Sequence, residues 1–84
     1  MTVVDNPKAN RFEVTVDGGT AFLTYERRPG IIVFVHTEVP PELRGHGLAD
    51  ALAETALKSA RAEGLRIIAQ CPFVRAYMKK HPAP

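Results

Sequence analysis

The stretch from Ile31 to Gln70 constrains the fold of this 84-residue chain more than any other. Ile31 to Val39 opens with four β-branched aliphatics before His36, a run that favours a central strand with both faces covered. Pro40-Pro41 ends it, because neither proline can donate a ladder hydrogen bond and each pushes its predecessor toward extended geometry. From Gly47 to Glu63, Leu48, Leu52, Ala53, Ala56, Leu57 and Ala60 recur at intervals of three and four, the period of an amphipathic helix. Its alanine-rich face permits close approach to a sheet, and Gly64 suits the left-handed residue that ends a helix. Leu65 to Gln70 follows as a short strand. Strand, helix and strand with short connections imply that the two strands run parallel, joined by a right-handed crossover.

The N-terminal third adds antiparallel structure. Between Asn10 and Val16, Phe12, Val14 and Val16 alternate with Arg11, Glu13 and Thr15, the period of a half-buried strand. Asp17-Gly18-Gly19 supplies a tight turn, Ala21 to Arg27 returns, and Arg28-Pro29-Gly30 turns again. After Cys71, Pro72 suits the first position of a second helix reaching from Phe73 to Lys80. The expected fold class is α/β, a mixed α+β arrangement: antiparallel N-terminal strands joined to one parallel β-α-β unit, then a C-terminal helix. A chain of this length makes one domain, residues 1–84, with flexible ends at 1–9 and 81–84.

Charge narrows the partners. Eleven basic and nine acidic residues give a net +2, too slight to argue for nucleic acid or a membrane surface. No carboxylate side chain follows Glu63, however, whereas Arg66, Arg75, Lys79 and Lys80 do, so the C-terminal quarter is a positive patch open to an anionic ligand. No window is long and apolar enough to span a bilayer. One cysteine, Cys71, excludes an internal disulfide framework and points to a reducing, cytoplasmic setting. Three histidines and that cysteine lack metal-ligand spacing, so no metal is expected.

The loop Arg44-Gly45-His46-Gly47-Leu48-Ala49 leaves the strand and enters the helix. A glycine-rich turn at that point presents unpaired N–H groups at the positive end of the helix dipole, which makes an anion site. Gly45 and Gly47 let backbone approach phosphate oxygens, and small Ala49 lets the helix start pack closely. Arg44 adds charge or pairs with Glu42; His46 contributes its backbone N–H, its side chain facing solvent. The loop lacks the Gly-Lys-Ser/Thr ending that would hold a γ-phosphate and magnesium, which disfavours nucleotide hydrolysis.

These six residues resemble the Arg/Gln-x-x-Gly-x-Gly/Ala signature of the GNAT superfamily of N-acetyltransferases, placed between the strand and helix where that family carries it. The segment Cys71 to Pro82 is similar to the end of the compact, single-domain branch, so the resemblance runs from about Phe12 to Pro82. It implies acetyl-coenzyme A as co-substrate and no metal cofactor. Arg44 to Ala49 would meet the pyrophosphate, and His36, Thr37, Glu38 and Val39 would end the strand that pairs with the pantetheine arm. Arg75, Lys79 and Lys80 would face the 3′-phosphate. The helices and strands that usually build an acceptor pocket are missing, so the acceptor is an unspecified amine of a small molecule or protein, and a homodimer could complete the pocket.

Transfer to an amine needs a neutral nucleophile, so a base is useful. His36 and Glu38 share a strand face and are candidates; the alternatives are a hydrogen-bonded core histidine and a surface glutamate. In a second scheme Cys71, just before the helix start, takes the acyl group first, its thiolate favoured by nearby N–H groups. A small buried hydrophobe is the rival reading of that thiol. Tyr77, by resemblance, would protonate the departing thiolate, against simple packing. The whole chain is thus expected to be an N-acetyltransferase, with a non-catalytic coenzyme A-binding or sensing module as the alternative.

Overall fold

The computed structural model describes residues 1–83; Pro84, the last residue of the expected tail, lies outside them. Strands β1 (Val3–Asn6), β2 (Arg11–Val16), β3 (Gly19–Arg28) and β4 (Ile31–Glu38) precede helix α1 (Leu48–Ala62), strand β5 (Arg66–Ala69) and helix α2 (Pro72–Lys80). The five strands make one sheet in the order β1-β2-β3-β4-β5. Its first three pairings are antiparallel and the last, β4 with β5, is parallel. This is the mixed sheet expected, with two differences.

First, residues 3–6 are a strand and not a flexible end. Val3 pairs opposite Val14, and the Tyr25 hydroxyl donates to Asp5 Oδ1 at 2.6 Å, which fastens β1 to the sheet from the far side of β2. Burial pushes the Tyr25 pKa up, and the Asp5 hydrogen bond adds to it. Second, β4 is not covered on both faces. Both helices pack on one face, where Phe12, Val14, Ala21, Leu23, Tyr25, Ile32 and Phe34 meet Leu48, Leu52, Ala56, Leu57 and Ala60 of α1 and Val74 of α2. Val33 is buried without belonging to that core.

Local chemistry explains the elements. Asp17 and Gly18 both have positive φ, 46° and 78°, the geometry of a two-residue hairpin turn whose twist matches the strands it joins. Helix α1 ends in a Schellman-type motif, with Gly64 N–H donating to Arg61 O and Leu65 N–H to Ala60 O, both at 3.0 Å. The Arg27 guanidinium meets both carboxylate oxygens of Glu63, at 3.1 and 3.2 Å, tying β3 to the end of α1. The fully buried Leu52 and Leu57 anchor the helix, and each contributes roughly 2–3 kcal/mol by burial alone.

Candidate functional site

The site begins where two parallel strands part. Pairing of β4 with β5 runs from Ile31↔Arg66 to Phe34↔Ala69 and stops. Both Gln70 N–H and Cys71 N–H then donate to the single carbonyl of Phe34, at 2.9 and 3.0 Å. Beyond it, Val35 to Glu38 keep β3 on one side and have no strand on the other. Arg75 supports the departing turn: its guanidinium donates to Ala69 O at 3.3 Å and Gln70 O at 3.0 Å. Arg75 is thereby taken up by backbone carbonyls and leaves the expected phosphate patch.

A bulge lies at the same place. Tyr25 pairs with Phe34 but its neighbour Thr24 pairs with His36, so Val35 is an extra residue in β4. The extra residue inverts the alternation that follows. Thr37, opposite buried Leu23, turns toward the helices, and His36 and Glu38, opposite Thr24 and Phe22, turn to the open face.

On the helix side, Thr37 Oγ1 lies 3.3 Å from Cys71 Sγ. Cys71 is the N-cap of α2, and Arg75 N–H donates to its carbonyl. Burial pushes the Cys71 thiol up, but hydrogen bonds from the Thr37 hydroxyl and from the backbone N–H groups of Val74 and Phe73 outweigh it, so the thiol lies below its usual value. On the open face, His36 Nε2 lies 3.4 Å from Glu38 Oε2, with both side chains more than half exposed. The two candidate chemistries therefore stand on opposite sides of one strand. His36 is not a core histidine.

The loop before α1 completes the site. Leu43 anchors it in the core and packs over Gly19, where a Cβ would come within 2.7 Å of Leu43 Cδ1. Gly45 and Gly47 hold φ of 83° and 74°, which a residue with a Cβ resists, and the space where each Cβ would stand is open. No side chain caps the helix, and its first backbone bond runs from Ala51 N–H to Gly47 O, so the N–H groups of Leu48, Ala49 and Asp50 precede the helical ladder. Arg44 bonds the Val39 carbonyl at 3.4 Å, not Glu42. His46 turns to the other side of the loop, beside Asp17 and Glu42.

One groove joins these parts. Its inner end is lined by Thr37, Glu38 and Val39, its middle by Arg44, Gly45, Gly47 and Ala49, and Phe73 borders both. It continues past Asp50 to Tyr77 and Lys80, whereas Lys79 lines none of these segments. Burial raises the Tyr77 pKa, and the carboxylates of Glu54 and Asp50 raise it further, so the phenol stays protonated. Among the described residues, no group of three or more His, Cys, Asp or Glu could hold a metal ion.

Comparison with known proteins names the family. The family model for the GCN5-related N-acetyltransferases matches residues 11–83. The chain belongs to this family. Protein NATD1 of Gallus gallus is 36% identical over 87 aligned positions, covering all of this chain and 79% of the relative. Protein NATD1 of Homo sapiens is 35% identical over the same length, with 77% of it covered, and that of Danio rerio is 29% identical. The chain is accordingly an N-acetyltransferase-like protein.

For a member of this family the sequence reading overlooked two groove residues. Asp50 lies in the first turn of α1 and borders the loop, and Phe73 borders the groove from its inner end to its outer one. The signal for Phe73 was present: an aromatic one position after a helix-starting proline, four before Tyr77, on a helix whose core residue is Val74.

Proposed function

We propose that this chain binds acetyl-coenzyme A along the groove and transfers the acetyl group to an amine. The observation that carries this reading is the continuity of the groove from Thr37, whose hydroxyl lies 3.3 Å from the buried Cys71 thiol, to the unpaired N–H groups of the Arg44 to Ala49 loop. Residues of the loop suit a pyrophosphate: open space beside Gly45 and Gly47, donors at the head of α1, and the Arg44 cation on the rim. The unpaired side of Val35 to Glu38 offers backbone groups to an extended arm. The cofactor supplies an acetyl group already activated as a thioester.

The chain offers two ways to use it. Cys71 thiolate can attack the thioester carbonyl, forming a new carbon–sulfur bond as the coenzyme A thiolate leaves, and an amine then takes the acetyl group from Cys71. Alternatively, Glu38 or His36 removes a proton from an amine that attacks directly from the open face. The lowered Cys71 pKa favours the first, and the exposed His36–Glu38 pair the second. A module that binds coenzyme A without chemistry is a further reading, favoured by the burial of Cys71, which is only 3% exposed.

Titration calorimetry with coenzyme A and acetyl-coenzyme A tests binding, and no heat at protein concentrations of hundreds of micromolar would exclude it. Intact mass after incubation with acetyl-coenzyme A tests the covalent route: an added acetyl group that disappears in Cys71→Ser supports it. Wild-type rates of amine acetylation by Cys71→Ser leave the direct route.

A further inference from the structure

Where β5 leaves β4, one residue meets three consecutive carbonyls. The Arg75 guanidinium donates to Ala69 O from Nε at 3.4 Å and from Nη2 at 3.3 Å, and Nη2 donates again to Gln70 O at 3.0 Å. The Arg75 backbone N–H donates to Cys71 O at 3.0 Å, in the first turn of α2. The N–H groups of Gln70 and Cys71 both go to Phe34 O. The turn from Ala69 to Cys71 is therefore gripped by Phe34 on the strand side and by Arg75 on the helix side.

That grip has two consequences for the groove. In a parallel ladder a residue that donates to the neighbouring strand also accepts from a later N–H of the same strand. Gln70 donates to Phe34 O, so its carbonyl is the acceptor that would carry the pairing of β5 further along β4. Arg75 occupies that acceptor, and the register ends at Phe34↔Ala69. Cys71 comes next in the chain, with Sγ 3.3 Å from Thr37 Oγ1, so the direction in which the backbone leaves Gln70 sets where the thiol stands.

We infer that Arg75 is a positioning residue: by holding the Ala69 and Gln70 carbonyls it stops β5 from closing on β4 and sets the Cys71 thiol against Thr37. The inference rests on the proposed transfer at this groove and adds a residue that acts through the turn rather than on the acetyl group. The chemistry of the side chain fits the task. A guanidinium is a planar fork whose Nε and Nη groups reach two acceptors at once, whereas an ammonium is a point donor on a flexible stem. Arg75 is exposed, and the buried residue of α2 is its neighbour Val74, so what the arginine contributes lies in its head group.

The test compares Arg75→Met, which keeps the stem and loses every side-chain donor, with Arg75→Lys, which keeps the charge without the fork. The deciding readout is the pH midpoint for alkylation of Cys71 by iodoacetamide, which needs no coenzyme A. It is expected to rise in Arg75→Met, because a thiol that leaves Thr37 and the α2 N–H groups loses the hydrogen bonds that favour its thiolate. Arg75→Lys is expected to recover part of the shift. Titration calorimetry is expected to show about fivefold weaker binding of coenzyme A by Arg75→Met. Circular dichroism melting reports any loss of stability separately. An unchanged midpoint in Arg75→Met, whatever its melting temperature, would overturn the inference, and full recovery by Arg75→Lys would assign the shift to charge alone and overturn it as well. Should Arg75→Met fail to fold, Arg75→Lys is read by itself, and a midpoint equal to wild type overturns the inference. No binding of coenzyme A by the wild type would remove the proposed function and leave the alkylation midpoints to decide the placing of the thiol.

Discussion

Thr37 Oγ1 stands 3.3 Å from Cys71 Sγ, joining β4 to the N-cap of α2 beyond the point where the β4 and β5 backbones have separated. The hydroxyl is one of the donors that hold the thiol below its usual pKa against the effect of burial. Thr37→Val removes that donor and keeps the shape. The pH midpoint for alkylation of Cys71 by iodoacetamide is expected to move upward, because the thiolate loses a hydrogen bond and keeps its desolvation. An unmoved midpoint would mean that the α2 N–H groups act alone.

The loop glycines are expected to be irreplaceable for a backbone reason. Gly47→Ala places a Cβ in open space, so no clash contributes, and the cost of φ at 74° is about 1 kcal/mol. Urea unfolding should show that loss. If the loop also binds pyrophosphate, affinity for coenzyme A should fall at least about tenfold, since the new methyl group occupies the space the phosphate needs.

Acid sensitivity has a specific contributor on the open face. The Arg11 hydrogen bond, then that of Asn6, hold the Glu13 carboxyl below its ordinary pKa, against a burial effect that raises it. A carboxylate depressed in the folded state contributes stability above its unfolded pKa of about 4.3, and that contribution is lost as pH falls through the folded value. Wild type should therefore melt above Glu13→Gln at pH 7, and the gap should close as the pH falls below 4.3. A gap constant from pH 7 to pH 3 would contradict this.

The hold on β1 can be measured through one oxygen. Tyr25→Phe removes the donor to Asp5 and should cost about 1 kcal/mol in unfolding free energy. Hydrogen exchange of Val3 to Asn6 should quicken more than that of β3 or β4, because β1 has a strand on one side only.

Much of this arrangement is legible in the sequence, and what is not has physical reasons. Helix α1 announces itself through the spacing of Leu48, Leu52 and Ala56, and its end through Gly64, because both signals are local. The first hairpin shows in Asp17-Gly18 for the same reason. Strand β1 is four residues long, and its inward carboxylate Asp5 makes sense only once Tyr25, twenty positions away, is beside it. Arg75 looked like part of a phosphate patch because charge is visible in a sequence and a pair of free carbonyls is not. The candidate site residues are a similar mixture. Thr37, Arg44 and the two glycines line one groove, whereas His36 stands on the other side of β4 and Lys79 is set apart.

The bulge at Val35 could not be found by alternation, since a β-branched residue there continues the run without interruption. Yet it assigns the reactive groups to their sides. If β4 kept its two-residue period through Val35, without the bulge, His36 would lie beneath the helices and Thr37 would turn out to solvent, away from Cys71, whereas deleting the extra residue would leave both on their present sides. For this fold, then, the counting of residues along one strand decides which side chain the thiol meets, so an alignment that is wrong by a single position at Val35 would set a histidine where a threonine stands.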